Sequence, residues 1–144
     1  MAERRGLQAF VDAQEAGVHE RALAELRQGK KDSHWMWFVF PQLRGLGRSG
    51  RARFYGLEGR VEAEAYLAHP VLGARLLACA AAVLPWSDRG ALAVMGSPDD
   101  AKLRSSMTLF AEAAVDPAPF RAVLNGFYDG QPDEATLALL RRDR

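Results

Sequence analysis

The chain has 144 residues, a length that suits one domain and is enough to bury most of the surface that its unfolded form exposes. Hydrophobic residues make up 49% and charged residues 26% of the sequence, which is the ordinary balance of a soluble globular protein. Its 19 basic and 18 acidic residues give a formal net charge of +1, so bulk charge argues against a protein whose main role is to bind duplex nucleic acid.

Three short features predict the compartment. The single cysteine, Cys79, cannot form an internal disulfide, which fits a reducing environment. Residues 1–10 are basic in part, but the apolar segment of a signal peptide does not follow them. The longest weakly charged run, residues 70–86, contains Arg75 and is too short to cross a bilayer. We therefore expect a cytoplasmic protein without a membrane span.

Helical periodicity runs through most of the chain. It predicts an opening helix over residues 7–14 and a second helix over residues 18–28, which Gly29 ends. The aromatic segment "SHWMWFVF", residues 33–40, reads as a helix that stops at Pro41. A further helix carries one charge and an apolar stripe, and is expected near the centre of the core. The stripe consists of Leu72, Leu76, Cys79 and Val83.

The clearest helix start lies at "GSPDD", residues 96–100. Ser97 is expected to cap this helix and Pro98 to take its first position. Two aspartates follow, where the helix dipole favours anions. The predicted apolar stripe consists of Leu103, Met107, Phe110 and Ala114.

The same pattern recurs further along the chain. Asp116 is expected to cap a helix that begins at Pro117. The predicted buried face of that helix consists of Phe120, Val123, Leu124 and Phe127. A last helix, at about residues 133–141, is expected to bury Leu137 and Leu140.

No sustained period-two run indicates a sheet. "WMWFVF" has the composition of a strand, but the sequence offers no second strand to pair with it. The sequence therefore predicts one compact all-α domain, residues 1–144, with about seven or eight helices and no substantial sheet.

The aromatic segment has two interpretations. A helix that is apolar nearly all round is a buried helix, so the simpler interpretation is a plug in the core. A pocket wall is the alternative, because the ring nitrogens of His34 and the indole N–H groups of Trp35 and Trp37 all need partners when they are buried. The loop that follows contains Gln42 and is rich in glycine and arginine. Such a loop suits a nucleotide, although a solvated connector fits it equally well.

A polar edge accompanies the stripe of the "GSPDD" helix. Asp99, Lys102 and Ser106 stand at positions i, i+3 and i+7. A lysine beside a serine could lower the effective pKa of the hydroxyl, although charged pairs at this spacing are common helix decoration. Glu62 and Glu64 lie on a short helix, and one of them could act as a general base if it faced a pocket, although single carboxylates on helices are usually solvated. No metal site is predicted, because the three histidines are far apart in sequence and no zinc-binding spacing occurs.

Seven segments together resemble a known family. In chain order they are "FVDAQ", "ALAELRQGKK", "SHWMWFVFPQLRGLG", "YGL", "AYLAHPVLGARL", "GSPDDAKLRSSMTLF" and "TLALL". They are similar to motifs of the bacterial domain of unknown function 1810 family, some members of which carry the name calpastatin. That family resembles, more distantly, the NADAR superfamily of NAD- and ADP-ribose-associated proteins, whose members hydrolyse N-glycosidic bonds or bind ADP-ribose derivatives. The resemblance implies an all-α domain whose pocket candidates are His34, Trp35, Trp37, Gln42, Lys102 and Ser106.

The first functional hypothesis is a pocket that binds or hydrolyses a nucleotide-derived N-glycoside such as ADP-ribose or NAD. A tryptophan of the aromatic segment would stack on a base and contribute roughly 1–3 kcal/mol. Arg44 or Arg48 would hold phosphate. Gln42 and Gln14 would hydrogen-bond sugar or base edges. Hydrolysis would also need a carboxylate beside the sugar, for which the candidates are Asp99, Asp100 and Glu62. No cofactor is predicted.

Two alternatives compete with this hypothesis. The aromatic segment could form a groove for a partner protein or the seam of a homodimer, in a regulatory module without catalysis. Single-stranded nucleic acid could also stack on the same aromatic residues beside the arginine-rich loop. Both a monomer and a homodimer are compatible with the sequence.

Overall fold

The computed structural model describes residues 6–142, which form ten α-helices and one 3-10 helix. In chain order these are α1 (Gln8–Ala13), α2 (Val18–Arg27), α3 (Met36–Val39), α4 (Gly50–Tyr55), α5 (Arg60–Ala68), α6 (Leu72–Val83), the 3-10 helix (Leu84–Arg89), α7 (Ala91–Met95), α8 (Asp99–Ala113), α9 (Ala118–Tyr128) and α10 (Glu134–Arg142). The predicted all-α class is confirmed, because the described residues contain no strand beyond an isolated parallel bridge between Leu43 and Leu57. The helix count exceeds the predicted seven or eight, since α4 and α7 are too short to show a helical period.

Helix α8 lies at the centre of the fold. Residues 105–111 are buried without interruption, because α5, α7, α9 and α10 all pack against this helix. The predicted stripe is confirmed at Leu103, Met107 and Phe110, each with 0% exposure. Ala114 follows the last helical residue and is only partly buried.

Helix α6 is the second core helix, as its apolar pattern predicts. All four residues of its predicted stripe are buried, and the helix packs against α2, α5 and α9. Gly73 allows the close approach to α5, since a Cβ atom there would lie 2.2 Å from the carbonyl oxygen of Leu67. Within residues 6–142 no single helix has the length and hydropathy to cross a membrane. Only Arg60–Ala68 taken together with Leu72–Arg89, across a 90° bend, meets that test.

The opening helices follow the prediction closely. Helices α1 and α2 lie within one residue of their predicted bounds at each end. Gly29 has a φ of +75° after the end of α2, as expected for a glycine that terminates a helix. The indole of Trp86 packs on it, at 2.6 Å from where a Cβ atom would stand.

The predicted helix over residues 33–40 is wrong in its length, because only the four residues of α3 are helical. The backbone N–H groups of Asp32 and Ser33 donate to the carboxylate of Glu25 instead, at 2.8 and 2.9 Å. At the other end, Phe40 leaves helical geometry with a ψ of 73°, as residues before a proline commonly do.

Two predicted helix caps also differ from the structure. Helix α8 begins at Asp99 with Pro98 as its N-cap residue, and no side chain caps it, so the role assigned to Ser97 is wrong. Helix α9 begins at Ala118, one residue later than predicted, and the Asp116 carboxylate accepts a hydrogen bond of 3.1 Å from the Ala118 N–H.

The last helix is held to the core through a residue at its start. The carboxylate of Asp133 accepts hydrogen bonds from the N–H and the hydroxyl of Thr136, at 3.1 and 2.5 Å. The same carboxylate accepts from the Ser105 hydroxyl at 3.1 Å, which ties α10 to α8. Leu140 is buried as predicted, whereas Leu137 is only partly buried.

Residues 43–57, which we call the arginine loop, form a compact unit that is closed at its base. The Arg44 N–H donates to the Leu57 carbonyl, and the Leu57 N–H donates to the Gln42 carbonyl, both at 2.9 Å. The Ser49 hydroxyl caps α4 inside the loop. The Tyr55 ring lies 5.3 Å from the Phe38 ring, so the loop folds back onto the aromatic segment.

Candidate functional site

The two tryptophans of the aromatic segment have different surroundings. Trp35 is 1% exposed, and its indole N–H donates a hydrogen bond of 2.9 Å to Glu25. Glu25 also accepts from the N–H groups of Asp32 and Ser33 and from the Ser33 hydroxyl. Burial opposes ionisation of this carboxyl, but the four hydrogen bonds outweigh burial and lower its pKa to about 2. Trp35 therefore belongs to a structural hydrogen-bond network around Glu25.

Trp37 is partly buried and has cations against its ring. The Arg51 guanidinium lies 4.9 Å and the Lys102 ammonium 5.4 Å from the ring centroid, within the range of cation–π attraction. The indole N–H is buried, and no described residue accepts a hydrogen bond from it. A buried donor without a partner costs free energy, so this N–H is a position where a water molecule or a ligand atom would be stabilised.

A small cavity adjoins Trp37. Its volume is about 10 Å³, room for roughly one water molecule. Gln42 and Lys102 line it together with Trp37, and the remaining lining residues are Met36, Phe40, Ala52 and Gly56. No described residue hydrogen-bonds the carboxamide of Gln42. Three of the residues predicted from sequence therefore converge on one cavity, and we call Trp37, Gln42, Arg51 and Lys102 the Trp37 site.

The arginine loop covers this cavity tightly. A Cβ atom at Gly47 would lie 2.6 Å from the Cβ of Ala52, and a Cβ atom at Gly56 would lie 2.6 Å from the Cα of Arg44. Both positions therefore require glycine, because a neighbouring part of the loop lies too close to leave room for a side chain. The site is closed in this conformation, and any ligand larger than water needs the loop to move.

The charges around the Trp37 site are mainly positive. The Asp99 carboxylate forms an ion pair of 2.9 Å with the Lys31 ammonium and lies 3.8 Å from the Lys102 ammonium. The Lys31 side chain is only 7% exposed, and its ammonium also lies 4.9 Å from the centre of the Trp35 ring. Together with Arg51, the cluster has three cationic side chains and one carboxylate, so its field favours an anion.

Ser106 follows Lys102 by one turn of α8. It is fully buried, and no described residue hydrogen-bonds its hydroxyl. The residue does not line the cavity at Trp37. The structure therefore brings Lys102 to the cavity and leaves Ser106 in the core behind it.

Gln14 serves the core and not the Trp37 site. It is 2% exposed, and its amide donates to the Phe38 carbonyl at 2.7 Å and to the Tyr66 hydroxyl at 3.2 Å. Its oxygen accepts from Arg75 at 3.2 Å. Because these bonds use both ends of the side chain, the structure gives Gln14 the role of linking α1, α3, α5 and α6.

Neither His34 nor Arg44 is among the residues that line the cavity. His34 is exposed to solvent, and Arg44 forms an ion pair with Glu58 and donates to the Arg53 carbonyl at 2.9 Å. The structure therefore does not bring these two side chains to the cavity beside Trp37. Arg51 is the arginine of the loop that lies against the Trp37 ring, where Arg44 or Arg48 was predicted to hold phosphate.

The three candidate carboxylates occupy different places. Asp99 contacts Lys102 of the Trp37 site. The backbone carbonyl of Asp100 accepts from the Tyr128 hydroxyl, on the side of α8 that faces α9. Glu62 lies on α5 and accepts from the Glu58 N–H at 3.1 Å. Asp99 is therefore the carboxylate that the structure associates with the site.

Sequence reasoning missed two members of this cluster, Lys31 and Arg51. Both belong to basic stretches that are visible in the sequence, "KK" before the aromatic segment and the arginines of the loop. Which lysine and which arginine meet Trp37 depends on how the arginine loop and α8 pack. Among the described residues no group of three or more His, Cys, Asp or Glu side chains could hold a metal ion.

Over residues 4–140 the chain matches the family described as "Protein of unknown function (DUF1810)". The chain belongs to this family. No curated protein matches the sequence significantly. The fold is similar to the crystal structure of the conserved hypothetical protein Rv1873 from Mycobacterium tuberculosis, solved at 1.38 Å. That similarity has a TM-score of 0.90 and a sequence identity of 50%, and it covers 94% of this chain and 96% of the other.

These comparisons establish that the chain belongs to the DUF1810 family and shares its fold with the mycobacterial protein. Neither the family description nor the name of the mycobacterial protein specifies a ligand or a reaction. The function is therefore inferred from the Trp37 site itself.

Proposed function

We propose that this DUF1810 protein binds a small anionic ligand with a flat ring, of the class of ADP-ribose and NAD, at the Trp37 site. The observation that carries the proposal is the surroundings of Trp37. An aromatic ring with two cations against it and a buried, unpaired N–H lies beside a cavity. Rings and phosphates are the two groups that such a combination recognises.

Each residue has a role that follows from its chemistry. Trp37 offers its N–H for a hydrogen bond, and its ring offers a face for stacking once Arg51, which lies over the ring in the closed conformation, moves with the loop. Lys102 and Arg51 supply positive charge for phosphate or carboxylate oxygens. Gln42 offers both a donor and an acceptor, neither of which a described residue uses. The excess of cations over carboxylates around Asp99 is the reason to expect an anion rather than a neutral nucleoside.

The size of the cavity makes binding conditional on movement of the arginine loop. Ligand pockets usually measure on the order of 300–1,000 Å³, and the closed cavity holds roughly one water molecule. Movement of the loop as a unit would keep its paired base at Leu43 and Leu57 and its internal hydrogen bonds, and it would break the contact of Tyr55 with Phe38. Arg51 would then move with the loop, and Lys102 would stay on α8.

Binding is proposed here in preference to hydrolysis of an N-glycosidic bond. Hydrolysis needs a carboxylate beside the sugar, and Asp99 is already paired with Lys31 at 2.9 Å. Chromatography of NAD after prolonged incubation with the protein tests this choice. Release of nicotinamide by the native sequence, and its loss in Asp99→Asn, would assign a hydrolytic role in place of the binding role. In that reaction water adds at the anomeric carbon as the bond to nicotinamide breaks, and the proton of the water passes to Asp99.

Isothermal titration with ADP-ribose tests the proposed function. We expect saturable binding by the native sequence and a loss of about tenfold or more, equivalent to about 1.4 kcal/mol, in both Lys102→Met and Trp37→Ala. Lys30→Met is the matched control, because Lys30 is exposed and lies outside the site. Thermal unfolding checks that each variant is folded.

Three results would overturn the proposal. One is the absence of any binding heat at millimolar ADP-ribose or NAD. Another is equal affinity in the native sequence and the two site variants. The third is tighter binding to labelled single-stranded oligonucleotides, with a steep salt dependence, which would favour the nucleic-acid hypothesis.

The alternative of a protein-interaction surface on the aromatic segment has a clear structural requirement. Its aromatic side chains would have to form a contiguous exposed patch. Trp35 is 1%, Phe38 9% and Phe40 1% exposed. These three rings therefore offer a partner protein little surface, and Trp37, the fourth aromatic side chain of the segment, is only partly exposed.

A further inference from the structure

A second concave surface lies at the far end of α8 from the Trp37 site. It is a groove of about 510 Å³ between α5, α6 and the connection from α8 to α9. Its floor and walls include Leu67 and Phe120, with Ala113 at the end of α8. Lys102 and Ala113 are separated by about 16 Å along the helix axis, so the groove is separate from the proposed ligand site.

The groove carries apolar surface that nothing in the described chain covers. Val115 is fully exposed and Leu77 is 43% exposed, and both line the groove. Single exposed apolar residues are normal on a protein surface. Here they flank one concavity that is itself mostly apolar, which is the usual property of an interaction site.

The rim of the groove is acidic. Glu64, on α5, and Asp116, in the connection from α8 to α9, both line it, and none of the described lining residues is basic. Glu112, close by, forms an ion pair with Arg60 at 3.9 Å and is thereby neutralised. The carboxylate of Glu64 has no described partner. An occupant of the groove therefore has to combine apolar side chains with positive charge at its edges.

We propose that this groove docks an amphipathic helix of a partner protein, with leucine-type residues on the face that enters the groove and lysine or arginine beside it. Helices of this kind present anchors at i, i+3, i+4 and i+7, a spacing that suits a groove of this size. A fatty acid fits less well, because its carboxylate would meet Glu64 or Asp116. A second copy of this chain fits less well too, because a two-fold contact would set two acidic rims against each other.

A designed peptide provides the probe. We would titrate a fluorescein-labelled 18-residue helix of leucine and lysine into the protein and follow its anisotropy. The comparison peptide has every lysine replaced by glutamate. On the protein, Leu77→Lys and Glu64→Lys alter the groove, and Leu92→Lys is the matched control, since Leu92 is 63% exposed on α7, outside the groove.

The expected result is saturable binding of the leucine–lysine peptide, at least tenfold weaker in Leu77→Lys and Glu64→Lys and unchanged in Leu92→Lys. The glutamate peptide should bind at least tenfold more weakly than the lysine peptide. Methyl resonances of Leu67 and Val115 should shift on binding. All substituted side chains are exposed, and circular dichroism verifies that each variant is folded.

Several outcomes would overturn the inference. No binding of the peptide excludes the docking role, and equal binding by all three protein variants places the peptide elsewhere. Light scattering that reports a dimer of the native chain and a monomer of Val115→Lys assigns the groove to a second copy. Saturable binding of myristate that Leu77→Lys abolishes assigns it to a fatty acid.

Discussion

Glu25 offers the sharpest test of how this fold is held together. Its carboxylate accepts four hydrogen bonds from residues 32–35, and its pKa falls from 4.5 to about 2 on folding. Each pKa unit corresponds to about 1.4 kcal/mol of stability, so the full shift would amount to roughly 3 kcal/mol. Since the carboxyl is partly exposed, we reduce this for solvent screening and expect Glu25→Gln to cost about 2 kcal/mol at pH 7.

The pH dependence has a definite sign. A carboxyl whose pKa is lower in the folded state stabilises the protein above its unfolded pKa of 4.5, and this stability is lost as the pH falls toward about 2. The native sequence should therefore lose more of its free energy of unfolding between pH 7 and pH 3 than Glu25→Gln does. We expect the difference between the two proteins to shrink by more than half over that range.

Urea unfolding at pH 7, 5, 4 and 3 measures this difference. Glu20→Gln is the control, because Glu20 is an exposed carboxyl on the same helix. The reasoning would be refuted by a Glu25→Gln cost at pH 7 no larger than that of the control. A cost that stays constant down to pH 3 would also refute it, because the network would then not depend on the charge of Glu25.

Three further predictions concern the core. Gly29→Ala should destabilise the protein by about 2 kcal/mol in urea unfolding, because it forces a Cβ atom against Trp86 at a φ of +75°. Gly17→Ala, at a φ of +82° with open space around it, should cost only about 1 kcal/mol. Equal costs would contradict the packing of Trp86 on Gly29 as the cause. Gln14→Ala should cost about 2 kcal/mol by calorimetry, since it removes hydrogen bonds from the buried Phe38 carbonyl and Tyr66 hydroxyl and leaves them only their 3.3 Å bond to each other. A cost below about 0.5 kcal/mol would show that this remaining bond is sufficient. Burial raises the pKa of Cys79 to about 12. Its thiol should therefore not react with a disulfide reagent at pH 8 until urea unfolds the chain. Rapid labelling of the folded protein would contradict the burial of this thiol.

Local signals in the sequence are enough to predict most of the helices. The stripe of α6 and the glycine after α2 depend on residues within a few positions of one another, and both predictions are confirmed. The aromatic segment behaves differently, because its start is decided by Glu25, eight residues before Ser33. A carboxylate that binds the N–H groups of 32 and 33 replaces the first turn of the predicted helix, and nothing local to the segment indicates it.

The candidate site could be predicted in part for the same reason. Trp37, Gln42 and Lys102 stand in segments with clear polar and aromatic signals, and they do share a cavity. Lys31 and Arg51 are ordinary basic residues until the fold sets them beside Asp99 and Trp37. His34 does not line the cavity, and this likewise depends on where α3 begins, because tertiary contacts decide that start.

The indole N–H resonances of the three tryptophans report directly on whether ADP-ribose binds at Trp37. In a ¹H–¹⁵N spectrum, Trp37→Phe identifies the Trp37 signal by its disappearance, and ADP-ribose is then titrated into the native protein. We expect the Trp37 resonance to shift progressively to saturation, while Trp35, whose N–H is bonded to Glu25, and Trp86 stay nearly still. Three unmoved resonances at millimolar ADP-ribose would contradict it.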